Sequence, residues 1–149
     1  ILGMEMGIEI PPTFVAYDSK ANQSGALIEW FLTSADEKYI AGGDYCQQYF
    51  QGFDRKKGTQ HNFKTITEIF SDLEKSHKFK NDWKIFWAKT LMFDALIGNT
   101  DRHQDNWGII KNDEMRIAPV FDNGTSMGSE IFSKNFQLFD VPSYIEKYV

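Results

Sequence analysis

Between Asn81 and Gly98 the chain carries Trp83, Phe86, Trp87, Thr90, Leu91, Phe93, Ala95, Leu96 and Ile97. At helical period these positions take up most of a helix circumference, not one stripe. A helix apolar nearly all round has to be enclosed by other elements. The pattern therefore predicts a helix at the centre of the domain, capped by Asn81 or Asp82 and stopped by Gly98. Trp83 and Trp87, one turn apart, share a face and are assigned to the core, with docking against absent structure as the alternative. The 149 residues are enough for one ordinary domain around such a helix.

The flanking segments supply the rest. Thr13–Tyr17 and Ala26–Leu32 are rich in strand formers and are separated by a polar turn, which predicts a hairpin. Ala35 to Lys38 reads as a loop, Asp44 as the cap of a short helix containing Tyr45, Cys46, Tyr49 and Phe50, and Gly52 to Asn62 as a mobile loop. Phe63, Ile66, Ile69, Phe70 and Leu73 recur at helical spacing. Trp107–Ile110 and Met115–Ile117 bracket a four-residue turn and form a second hairpin. Phe132, Phe136, Leu138 and Phe139 lie in a tail where helices are expected without readable ends.

The opening residues Ile1, Leu2, Met4 and Met6, then Gly7 and Ile8–Pro12, read as a helix end, a glycine stop and an extended exit. The first residue is not methionine, so the chain is read as a fragment or as one part of a processed or split protein.

A formal net charge of -5 argues against general binding to a nucleic-acid backbone, which needs clustered positive charge. The one basic run, Arg55-Lys56-Lys57, is read as a solvated loop, with nucleic-acid contact as its functional alternative. Cys46 is the single cysteine, so no internal disulfide can form and a reducing, cytoplasmic home is expected. No apolar run is long enough to span a membrane. His61 and His77 lack cysteine or histidine partners at zinc spacing and are assigned to solvent or local packing. Gly42-Gly43 is a permissive turn without the helix and lysine of a phosphate loop.

The chemistry lies in the loop Gly98-Asn99-Thr100-Asp101-Arg102-His103-Gln104-Asp105-Asn106 and in the acidic turn Phe121-Asp122-Asn123-Gly124. The central helix fixes the start of the loop, and the second hairpin returns the chain beside it. Asp101, Asn106 and Asp122 are thereby expected to face one cleft. Asn106 and Asp122 offer hard oxygen ligands suited to magnesium, and Asp101 an acid positioned to orient and deprotonate a hydroxyl. That set matches phosphoryl transfer from a magnesium nucleotide. Arg102 or His103 is expected to hold the loop by hydrogen bonds, and His103 to brace Asp101 or the metal carboxylate.

Leu96–Trp107 resembles the catalytic loop of HipA-like serine/threonine kinases, and Ile117–Ser126 their metal-binding segment. The resemblance implies that Asp101 is the catalytic aspartate, that Asn106 and Asp122 bind Mg2+, and that ATP is the phosphoryl donor. It also implies that Glu29, Trp30 and Phe31, where such proteins pass from small to large lobe, contact the adenine through their backbone. Asp44-Tyr45-Cys46-Gln47 resembles the start of the next helix of the family. The fold implied is α+β, a protein-kinase-like large lobe with central helices and short antiparallel hairpins, its small lobe largely missing. Residues 1–32 would be the end of the small lobe and the hinge, and residues 33–149 a partial large lobe. No glycine-rich loop or phosphate-binding lysine can be assigned, so those parts are expected from a preceding covalent segment or a partner. The acceptor would be a protein substrate or the kinase itself.

Two rivals remain. A phosphoinositide-type lipid kinase is similar in its Asp-Arg-His loop and later asparagine, although the acidic composition disfavours an anionic membrane substrate. The other is a noncatalytic nucleotide-binding regulatory module of toxin-antitoxin type.

Overall fold

The computed structural model describes residues 2–127. Ile1 and the expected tail helices around Phe132 to Phe139 lie outside the described residues. The first helix, α1 (Leu2–Glu5), ends as expected at Gly7, whose φ of +63° suits glycine. Gly7 N–H donates to Met4 O and Ile8 N–H to Gly3 O, so the glycine turn closes the helix end. The extended exit then lies beside residues 118–120, where Val120 N–H donates to Glu9 O. Ile8 is buried there against Phe93, Ile97 and Val120.

The first hairpin forms, but its second strand runs earlier than the expected Ala26–Leu32, and residues 29–32 lie outside it. β1 (Thr13–Asp18) and β2 (Gln23–Ile28) pair antiparallel, with Thr13 opposite Ile28 and Asp18 opposite Gln23. Asp18 Oδ1 accepts the Lys20 and Ala21 N–H groups across the turn. Every residue of β2 is exposed, as are Phe14, Val15 and Tyr17 of β1.

A second sheet has the order β3-β4-β5, all antiparallel. β4 (Gly108–Lys111) and β5 (Met115–Ile117) are the expected second hairpin. β3 (Lys38–Ala41) has no counterpart in the sequence reading, which treated Lys38 as the end of a loop. Four residues, one exposed and three of intermediate burial, carry too little period to announce a strand, and pairing with β4 decides the matter. α2 (Gly42–Tyr49) follows without a break. Asp44 is not its cap: Ala41 occupies that position, and Asp44 sits in the first turn, ion-paired with Arg55.

α3 (Phe63–Glu74) is capped by Asn62, whose Oδ1 accepts the Thr65 N–H. α4 (Trp83–Ile97) is capped by Asp82, which accepts from Lys84 and Ile85, and is stopped by Gly98 at φ +65°. Asn81, the alternative cap, instead accepts the Ile117 N–H at 2.7 Å and ties β5 to the start of α4. Trp83 and Trp87 are both buried, stacked on or edged against Phe70 of α3. Trp107 joins them, and a Cβ on Gly42 would collide with its ring, so α2 reaches the core only because residue 42 is glycine. α4 is not enclosed on all sides. Ile85, Leu91, Met92 and Leu96 are exposed, because α3 and the second sheet cover only one side of it among the described residues. No helix among the described residues is long and apolar enough to cross a membrane.

The loop between α2 and α3 lacks helix and strand, yet it is anchored. Its His61 is half-buried against Trp107, and His61 Nε2 accepts the indole N–H at 3.0 Å. Burial, and then the neighbouring His103, hold the His61 pKa below its ordinary value of 6.5. The folded state thus binds fewer protons than the unfolded chain once pH falls below that value, and stability must fall with it. Stability measured by urea unfolding is expected to drop between about pH 6.5 and 5 more steeply than in His61→Gln, whose amide oxygen accepts from Trp107 but does not titrate. Parallel curves for the two proteins would exclude His61 as the cause.

Candidate active site

The site is assembled around one buried side chain. Arg102 donates through Nε and Nη2 to both carboxylate oxygens of Asp94, at 2.9 and 2.8 Å. Its Nη1 donates to the Asn106 carbonyl at 3.1 Å and the Phe121 carbonyl at 2.7 Å, and Nη2 also reaches Asn123 Oδ1 at 2.6 Å. All five N–H groups of the guanidinium are engaged. Both side chains are under 10% exposed, at 8% for Arg102 and 7% for Asp94. One cation therefore joins the last turn of α4, the far end of the loop and both neighbours of Asp122.

The remaining polar groups hold the chain on either side. Past Gly98, Asn99 donates its backbone and side-chain N–H groups to Asp94, and its Oδ1 accepts the Thr125 hydroxyl at 2.7 Å. Asn106 is buried, and its Nδ2 donates to the Asp101 carbonyl at 2.6 Å, which closes the loop end to end. The amide orientation leaves Asn106 Oδ1 without a hydrogen-bond partner among the described residues. Asp101 and Asp122 both have exposed side chains on a backbone pinned by neighbours. Asp122 stands at φ +54°, a left-handed conformation that aspartate tolerates better than most residues.

His103 is less direct than the sequence suggested. Its Nδ1 accepts the Asp105 N–H at 3.1 Å, which assigns the ring proton of the neutral form to Nε2. That nitrogen lies 3.9 Å from Asp101 Oδ2, beyond hydrogen-bond reach. Asp105 instead serves the neighbouring loop: Arg55 bridges it to Asp44, with contacts of 2.6 Å to each. This pairing, the Asp105 hydrogen bond foremost, raises the Arg55 pKa and keeps it charged. Burial and then Asp105 push the Cys46 thiol up to about 11, so it stays protonated.

Glu29, Trp30 and Phe31 line a separate cavity of about 720 Å3 with Pro12, Arg116 and Pro119. Glu29 N–H is taken by Pro12 O, and the Phe31 carbonyl accepts from Arg116 at 3.2 Å. The Glu29 carbonyl and the Phe31 N–H make no hydrogen bond among the described residues. The Phe31 ring packs against Tyr39 and Phe121, which links this segment to the acidic turn. Asp101 lines a different cavity, of about 550 Å3, with Arg55–Gly58 and residues 100–105.

Asp94, Asn99, Arg55 and Arg116 are the positions that motif reading missed. Asp94 had a signal, since it is the sole acid in a largely apolar helix whose other charges are Lys84 and Lys89. Removing one member of a buried ion pair leaves the other charge unmatched, at a cost of about 3–5 kcal/mol. Asp94→Ala is expected to lower stability by about that amount in chemical unfolding, whereas Asp44→Ala, whose pair with Arg55 is half-exposed, should cost less than about 1 kcal/mol. Equal effects would remove Arg102 from its organising role.

Three comparisons with known proteins bear on this geometry. The sequence profile of the HipA-like C-terminal domain matches residues 2–137. A serine/threonine-protein kinase CtkA from Helicobacter pylori is 40% identical over 47 residues, which are 30% of this chain and 14% of that protein. The crystal structure of an H. pylori proinflammatory kinase CtkA superposes with a TM-score of 0.72 at 19% identity, covering 96% of this chain and 51% of that one. The chain thus spans about half the length of that structure, and the likeness establishes a shared α+β, kinase-like large-lobe fold. With its loop and acidic turn in the order the profile spans, the chain belongs to the HipA-like kinase family.

Proposed function

We propose that this chain forms the large-lobe floor of an ATP-dependent kinase acting on a protein serine or threonine hydroxyl. The observation that carries the reading is the Arg102 guanidinium, which holds the Asp101–Asn106 loop and the Phe121–Asn123 turn together. The kinase named among the similar proteins supports the same chemistry.

In this reading Asp101 orients the acceptor hydroxyl and takes its proton as the bond to phosphorus forms. Its carboxylate has no arginine or lysine partner among the described residues and so stays open to a substrate. Asn106 and Asp122 suit Mg2+: the Asn106 amide nitrogen is fixed on the Asp101 carbonyl, so its oxygen is the atom turned toward a ligand. The ion would be held by these two residues and completed by phosphate and water. Such an ion would supply charge neutralisation for the nucleotide phosphates. The Glu29 carbonyl and Phe31 N–H are the groups suited to an adenine edge. The phosphate clamp would come from a segment preceding residue 1 or from a partner, and the working compartment would be the cytoplasm.

Asp101→Asn in the full-length protein is expected to lower phosphoryl transfer by about 100- to 10,000-fold with nucleotide affinity nearly unchanged. Asp122→Asn should weaken Mg2+-nucleotide binding itself. Radiolabel transfer and nucleotide titration on both variants distinguish the roles, and full transfer by Asp101→Asn would remove the assignment.

A further inference from the structure

The cavity beside Asp101 contains the basic run that the proposed mechanism does not use. Arg55, Lys56, Lys57 and Gly58 line it together with His61 and residues 100–105. Its volume of about 550 Å3 falls in the range that holds a side-chain-sized group.

The charges in this cavity are not equivalent. Arg55 is committed to Asp44 and Asp105, and Arg102 to Asp94. Lys57 has only a 3.8 Å contact with Asp54, and Lys56 has no acidic partner among the described residues. Asp105 is taken by Arg55, which leaves Asp101 as the open carboxylate. The cavity lining therefore carries both signs of charge: Asp101 as its open acid, Lys56 as a cation without an acidic partner among the described residues, and Lys57 held only by its exposed contact with Asp54.

The lysines are carried on a fixed backbone. Asp54 Oδ1 accepts the N–H groups of Lys56 and Lys57 at 3.0 and 3.2 Å. Buried Gln104, from the catalytic loop, donates to the Arg55 carbonyl at 2.6 Å. Gly58, at φ +60°, lies so close to Gln104 Oε1 that a Cβ there would be 2.5 Å from it. That oxygen is buried and has no hydrogen-bond partner among the described residues, while the amide nitrogen seats the basic loop against the loop that carries Asp101. The two loops form one surface, and the lysines keep a set position relative to Asp101.

We infer that Lys56 and Lys57 form an acceptor-side subsite that selects an anionic residue close to the serine or threonine being phosphorylated, so that the substrate is an acidic protein segment. The inference rests on the kinase reading for its orientation: hydroxyl toward Asp101, anion toward the lysines. Two exposed cations act over a Debye length and are screened by salt, which predicts a modest, salt-sensitive preference.

The test uses the full-length protein and fluorescein-labelled serine peptides that differ only in flanking residues: alanine, aspartate, phosphoserine or lysine. In fluorescence anisotropy the aspartate peptide is expected to bind about 5- to 10-fold more tightly than the alanine peptide at low salt, and the gap should shrink at high salt. A larger gain for phosphoserine than for aspartate identifies phosphate as the preferred anion. Lys56→Glu with Lys57→Glu should abolish the preference and favour the lysine peptide, while nucleotide affinity and the thermal midpoint stay put. In turnover assays the same variant should raise KM for the aspartate peptide and leave kcat unchanged. No preference in the wild type, a preference that survives the double variant, a loss confined to nucleotide binding, or tighter binding of a single-stranded RNA than of the acidic peptide would each overturn the subsite. Binding preference without any turnover would instead uphold the subsite and remove the kinase reading, so the two fail separately.

Discussion

The Arg102–Asp94 pair is the interaction on which the site depends. Burying two charges is costly unless their hydrogen-bonding capacity is filled, and here the guanidinium has no donor left over. Three of its five bonds leave Asp94 and go to chain separated from α4 by turns. Those partners are two carbonyls and one amide oxygen, groups that would otherwise need water. A planar fork with fixed donor directions can hold three segments at once, and a lysine ammonium could not reproduce that geometry. The position of the loop and of the acidic turn is therefore a consequence of one residue pair.

Much of this was legible because it lies in local pattern. The glycines at 7 and 98, the aspartate at 82 and the period of α3 act within one or two turns, and each behaves as its chemistry dictates. The Asn62 cap of α3 was not legible, since Asn62 reads as the end of a loop. The polar loop and acidic turn were legible for a different reason, their composition and order between apolar elements. What was not legible depends on partners distant in sequence. β3 is a strand because β4 is beside it, and Asp44 is an ion-pair partner because Arg55 folds back onto it. Asn81 was available as the cap of α4 and instead takes the Ile117 amide. For α4, apolar composition marks what the helix is able to bury, and its described neighbours cover only part of that surface.

The second sheet connects the two halves of the proposed site. β5 places Arg116 under the Phe31 carbonyl and Glu37, and the chain beyond the strand runs through Pro119 and Val120 to Asp122. Phe121 then packs back on Phe31 and Tyr39. Displacing the Glu29–Phe31 segment would disturb aromatic contacts one residue from Asp122. Thr33, followed by Arg116, holds the Glu37 carboxyl below the usual carboxylate range, so the polar link persists in mildly acid solution. This common framework gives a physical route by which occupancy of the hinge-side cavity and placement of the acidic turn would be coupled.

The carboxylates around the loop divide into two kinds, and the division argues for the assignment of roles more strongly than motif order does. Asp94 and Asp105 each face an arginine at 2.8 Å or less, and Asp44 shares the second arginine. Asp101 and Asp122 have no arginine or lysine within ion-pair distance among the described residues. A carboxylate already neutralised by a guanidinium gains little from a metal ion or an acceptor hydroxyl, because it would have to surrender its partner first. An open carboxylate on a rigid backbone has no such competitor, and it repels its own kind until a cation or a proton donor arrives. By fastening the loop with paired acids and leaving the two others open, the fold keeps its structural charges separate from those able to meet a substrate. Lys56, without an acidic partner among the described residues, and Lys57, held only by an exposed contact with Asp54, line the same cavity as the open Asp101.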